Sequence, residues 1–100
     1  MALEIRENKG IYEILGNVNT QNLGALGIYF ENVLETSENI VINLENVRSM
    51  DSGAALFFES IYKKGAARNK VVSIVGRQNR DIFEILHATN TDYILSADRI

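Results

Sequence analysis

The stretch "MDSGAALFF", residues 50–58, holds the residues of this chain best arranged to undergo chemistry. Asp51 supplies an acid, Ser52 a hydroxyl and Gly53 no side chain at all, and an apolar run at helical spacing follows. An Asp ahead of such a run is a strong N-cap, which makes Ser52 the first helical residue. Gly53 relaxes the backbone at a cost in helix propensity. A hydroxyl at the exposed start of a helix is within reach of a kinase. A phosphate there adds about two negative charges. The N–H groups of the first turn tolerate it, whereas Asp51 and any acidic partner repel it. The same three residues also read as plain strand-to-helix punctuation, and at this point both readings stand.

Other chemistry is poorly supported. The chain has one histidine, His87, and no cysteine. A metal site needs three or four ligands, and the acids show no spacing that gathers them. A Gly-x-Ser-x-Gly elbow would need glycine where Met50 stands. No Gly-x-Gly-x-x-Gly occurs, and no phosphate loop ending in Gly-Lys-Ser/Thr. His87 reads as an ordinary helix-end residue. A Ser52–His87 hydrolase pair is left open by the sequence alone, but an enzyme using Ser52 would lack matching base and anion-hole residues. Arg77 and Arg80 in "GRQNRD" read as a solvated loop. Glu31, Glu35 and Glu38 read as a tolerated surface in preference to an acidic docking face. No catalytic residue, metal or cofactor is therefore expected.

The elements that must position Ser52 follow from periodicity. "ALEIRE" alternates as a half-buried strand, "NKG" turns, and "IYEILGNV" completes an N-terminal hairpin. In residues 19–39 the period changes. Leu23, Leu26, Phe30, Val33 and Leu34 form one helical stripe, with Asn19 or Thr20 as cap. Gly24 and Gly27 weaken that helix, and close approach to a neighbouring backbone would explain them. "NIVINLENV", 39–47, reads as one strand covered on both faces. A short polar link leads to the helix "SGAALFFESIYKKG", with Ala55, Phe58, Ile61 and Tyr62 on one stripe and Gly65 as its stop. "KVVSIVG" is a further buried strand, and "NRDIFEILHATN" a third helix. "YIL" is a last short strand and "SADRI" a tail. The order β-β-α-β-α-β-α-β implies a mostly parallel sheet. The expected fold is α/β: a four- to five-stranded mixed sheet with helices mainly on one face and the N-terminal strand at an edge. The expected core is Ile5, Ile14, Leu26, Phe30, Val41, Ile42, Leu44, Phe58, Ile61, Val72, Ile74, Ile82, Ile85 and Leu86.

One hundred residues suffice for one domain, spanning 1–100, with one core. A net charge of −3 offers no strong field to nucleic acid or an anionic membrane. No window approaches the roughly 20 apolar residues of a membrane span, and the start has no signal-peptide core. Together with the absence of cysteine, this leads us to expect a cytoplasmic protein. Oligomeric state is left open.

At these residues the chain resembles a family. "IVINLENVRSMDSGAALFF" is similar to the core of STAS domains, the fold of bacterial anti-sigma factor antagonists. Their pattern is a strand, a short link, then Asp-Ser-Ser/Thr-Gly and an apolar helix. "LGNV" is similar to the family's Gly-x-Leu-Asp segment, with Asn19 where Asp is usual. "VVSIVG" matches a later strand. "ILHATN" is similar to a Leu-x-x-Thr/Ser-Gly helix end, with Asn90 at a left-handed position. Gly53 replaces a hydroxyl residue, Ala54 replaces Gly, and a final helix frequent in the family looks missing or reduced to "SADRI". The resemblance implies a regulatory binding protein and not an enzyme. Its partners would be an anti-sigma factor that is a serine kinase, and a phosphatase that resets the switch. Ser52 would be the phosphorylation site, and Met50, Asp51, Ser52, Gly53 and Phe57 the partner-binding residues. The alternatives are an unphosphorylated STAS-like scaffold, favoured by Gly53-Ala54, and a small serine-dependent enzyme.

Overall fold

The computed structural model describes residues 2–96. β1 (Glu4–Asn8) and β2 (Ile11–Val18) form the expected antiparallel hairpin, and β1 is an edge of the sheet. Its turn places Lys9 and Gly10 at positive φ, 54° and 84°. Two such residues match the turn that suits the right-handed twist of paired strands. α1 (Leu23–Thr36) follows a short 3-10 turn at Thr20–Asn22. That turn, and not α1 itself, is capped by Asn19, whose side chain accepts from the Gln21 N–H at 3.0 Å.

The segment read as one strand over 39–47 is two. β3 (Asn39–Asn43) runs parallel to the first half of β2, from Ile11↔Val41 to Glu13↔Asn43. β4 (Val47–Met50) runs parallel to its second half, from Gly16↔Val47 to Val18↔Met50. Arg48, Ser49 and Met50, expected as part of a link, are therefore strand. The break has a local cause. The Asn43 side chain accepts from the Glu45 N–H at 2.9 Å, a turn that competes with the ladder. Leu44 N–H then crosses to Val75 O at 2.7 Å.

α2 (Ser52–Ala67), β5 (Val71–Val75), which pairs parallel with β3, and α3 (Arg80–Ala88) complete the order. The sheet has five strands in the order β1-β2-β3-β5, with β4 beside β2. "YIL" is not a strand. Asp92–Ile94 form a 3-10 turn, and Leu95 alone bridges to Ile74. The tail after Ser96 lies outside the described residues, as does any final helix.

Burial alternates strictly along β2: Tyr12, Ile14, Gly16 and Val18 are buried, and the residues between them only partly. The three helices cover that face. β3 also alternates, so it is not covered on both faces. This is why Val41 is half-buried; the edge residue Ile5 and, on α3, Ile85 are also half-buried, and the other eleven expected core residues are buried.

The glycines act differently from expectation. A Cβ at Gly24 meets nothing within 4 Å, and one at Gly27 meets only Phe57 Cε1 at 3.8 Å, so neither marks a close backbone approach. Gly65 does not stop α2 but lies buried inside it, where a Cβ would stand 2.3 Å from Val72 Cγ2. Asn69, at φ 60°, takes the left-handed position beyond the helix, and Lys70 N–H returns to Gly65 O at 2.8 Å. Gly65→Ala is therefore expected to destabilise by about 1–2 kcal/mol through overpacking. Gly24→Ala, with open space, should be neutral or stabilise by up to about 1 kcal/mol. Urea midpoints of the two variants check this pair, and equal shifts in one direction would contradict it.

Candidate functional site

β4 delivers the chain to the mouth of α2. Asp51 is the N-cap, with φ −95° and ψ 175°. Its own N–H reaches Val18 O at 3.3 Å, extending the β4–β2 pairing by one bond. One carboxylate oxygen, Oδ1, accepts from Ala54 N–H at 2.9 Å. The other, Oδ2, accepts from Thr20 N–H at 3.0 Å and Thr20 Oγ1 at 3.1 Å. A single acid thus caps α2 and ties it to the turn preceding α1.

These donors favour the ionised form. The Ala54 N–H foremost holds the Asp51 carboxyl below its ordinary value of 3.8, partial burial opposes this, and the Thr20 donors reinforce it. A carboxyl depressed in the folded state contributes stability above its unfolded value and loses it as pH falls through the folded one. Asn caps helices as well as Asp but cannot titrate. The stability gap between the wild type and Asp51→Asn should therefore narrow on going from about pH 5 to about pH 2. A gap that stays constant would show that Asp51 acts without its charge.

Ser52 is the first residue of α2 and is exposed. Among the described residues its hydroxyl makes no hydrogen bond, so the helix start does not use it. Gly53 lies against Thr20. A Cβ there would meet Thr20 Oγ1 at 3.2 Å and Asp51 Oδ1 at 3.5 Å. A hydroxyl residue at 53 would crowd the Thr20–Asp51 contact, which gives this departure from the resembled pattern a local reason. Ala54 is fully buried.

Apart from Asp51, the first two turns of α2 carry no charge and expose an apolar side chain. Leu56, one turn along α2, is 52% exposed, and Ile28 on α1 is 72% exposed. Phe57 is half-buried, beside Gly27 and edge-on to Phe58 with ring centroids 5.3 Å apart. Met50 is half-buried against the core. No charged residue occurs in 22–30 or 52–58. The first acid beyond on α1, Glu31, is matched by Arg68 at 2.6 Å and Lys64 at 3.8 Å. The Arg68 hydrogen bond foremost lowers the Glu31 carboxyl below its ordinary value.

Met50, Asp51, Ser52 and Gly53 come together as one turn, and Phe57 lies on the helix that they open. Sequence reasoning missed Thr20, Ile28 and Leu56. Ile28 carried a signal, since it is apolar yet off the α1 stripe. Thr20 carried none, because nothing local links it to Asp51. His87 is elsewhere, at the end of α3, with Nδ1 3.2 Å from Asp92 and its ring stacked on Phe83. Among the described residues no cluster of three or more His, Cys, Asp or Glu could hold a metal ion. No helix there is long and apolar enough to cross a membrane.

The sequence profile of the STAS domain matches residues 1–97. A search of curated proteins by sequence finds no match. Among solved structures, the chain is similar to an anti-sigma factor antagonist from Mycobacterium paratuberculosis. The TM-score is 0.75 at 18% identity, covering 94% of this chain and 81% of that one. It is also similar to the anti-sigma factor antagonist SpoIIAA in its unphosphorylated form. There the TM-score is 0.74 at 10% identity, covering 95% and 86% of the two chains. At these identities the likeness is one of fold.

Proposed function

The chain belongs to the STAS domain family, and from that premise we propose that it is an anti-sigma factor antagonist-like partner switch controlled by phosphorylation of Ser52. The observation that carries this is the division of labour at the mouth of α2. Asp51 is fully engaged in holding the turn, and the neighbouring hydroxyl of Ser52 is exposed and uncommitted. A kinase can modify Ser52 without removing any bond that the fold uses. The partners are a serine kinase of the anti-sigma type and a phosphatase that restores the hydroxyl. Both act on the chain in the cytoplasm.

The surroundings support a mechanism for the proposed switch. Unmodified, Ser52 lies one turn from the exposed Leu56 on a stretch of α2 that carries no charge from 52 to 58, which a partner can cover at little polar cost. A phosphate dianion at its edge must be desolvated or left unpaired when that partner docks, which is costly. Repulsion from Asp51 adds to this.

The test is binding to the serine kinase. Ser52→Ala is expected to bind as the wild type does. Ser52→Asp should fold normally and bind at least about tenfold more weakly, the effect of one charge left unpaired at an interface. Equal binding by both variants would overturn the switch. The departures at Gly53 and Ala54 support one alternative, a STAS scaffold in a larger signalling assembly that binds without being modified. Under it, Ser52 takes up no phosphate.

A further inference from the structure

The structure assigns to Asn79 a role at the site it never touches: we infer that it is the positioning residue that fixes β4, and through β4 the place of Ser52. Asn79 opens α3, where its Oδ1 accepts from Ile82 N–H at 3.4 Å. Its Nδ2 points the other way, to Leu44 O at 3.2 Å, Glu45 O at 3.1 Å and Val47 O at 2.9 Å. Leu44 and Glu45 lie in the break between β3 and β4, and Val47 is the first residue of β4. β4 has only four residues and pairs with β2 alone, across a register shift at Gly16/Asn17. Gly16 has φ 89°, and a Cβ there would stand 2.1 Å from the Ala2 carbonyl oxygen, so β2 is irregular where β4 meets it. A short strand with one irregular ladder is weakly held. The Asn79 amide gathers the carbonyls at its start, and Met50, Asp51 and Ser52 follow directly from its end.

Its importance for function rests on the proposed role of Ser52, but its test does not. Asn79→Ser keeps a good N-cap for α3 and removes the amide donor. Native-state amide exchange is then read residue by residue in the whole chain. The Asp51 and Ala54 amides are expected to exchange up to about tenfold faster relative to those of Phe30 and Ile42, the loss of roughly one net hydrogen bond at a local opening. Exchange that rises uniformly, or not at all, would overturn the assignment. Asn79→Ala, which also removes the cap, should move the α3 amides as well. Slowed or absent phosphorylation of the wild type would count against the switch and leave this result unchanged.

Discussion

Phe58→Ala is expected to destabilise the protein by about 3–5 kcal/mol, the usual cost of truncating a fully buried phenylalanine. Phe58 is 0% exposed and lies in the cluster between the sheet and the helices. A domain of this size has about 5–15 kcal/mol of total stability, so the variant should be partly unfolded near its usual melting range. Phe57 is the internal control. It is half-buried on the neighbouring face of α2, so Phe57→Ala should cost less than half as much. Urea midpoints with an unchanged slope give the comparison. A loss below about 1 kcal/mol at Phe58, or a larger loss at Phe57, would mean that α2 presents the opposite face to the core.

Asp51→Ala should cost about 2–3 kcal/mol, more than a simple helix cap. The cap alone contributes about 0.5–2 kcal/mol, and the variant also loses the two charge-assisted bonds from Thr20. The excess is testable. Thr20→Val removes the hydroxyl bond and leaves the cap. In a double-mutant cycle the two changes should be coupled by about 0.5–1.5 kcal/mol. Strict additivity would show that the contact between the two helix starts contributes nothing.

Most of the fold was legible because its elements have clean periods. β1, β2, β5 and the three helices follow directly from alternation or from stripes. What escaped was what depends on distant partners. The run 39–47 looked continuous because Leu44 is as apolar as its neighbours. The strand is stopped there by the local Asn43–Glu45 turn, and the carbonyls that the turn leaves over are taken up by the Asn79 side chain, more than thirty residues away in sequence. Gly65 sat where a stop is usual, and only the packing of Val72 against it shows another purpose. At the site, Asp51 as N-cap with Ser52 as first helical residue was readable, since capping is local. Asn90, at φ 59°, also takes the left-handed position expected of it. Thr20 was not readable, because its bond to Asp51 spans 31 positions. That Ile28 and Leu56 are exposed is likewise visible only once the core-facing sides of α1 and α2 are known.

The most direct test of the central claim is phosphopeptide mapping after the purified chain has been incubated with a serine kinase of the anti-sigma type and ATP. Phosphate is expected on Ser52 alone, absent from Ser52→Ala, with the phosphorylated chain still folded because the helix N-terminus tolerates the charge. Phosphate on Ser49 or Thr89, or none at all under conditions in which the kinase binds the chain, would contradict it and favour the scaffold.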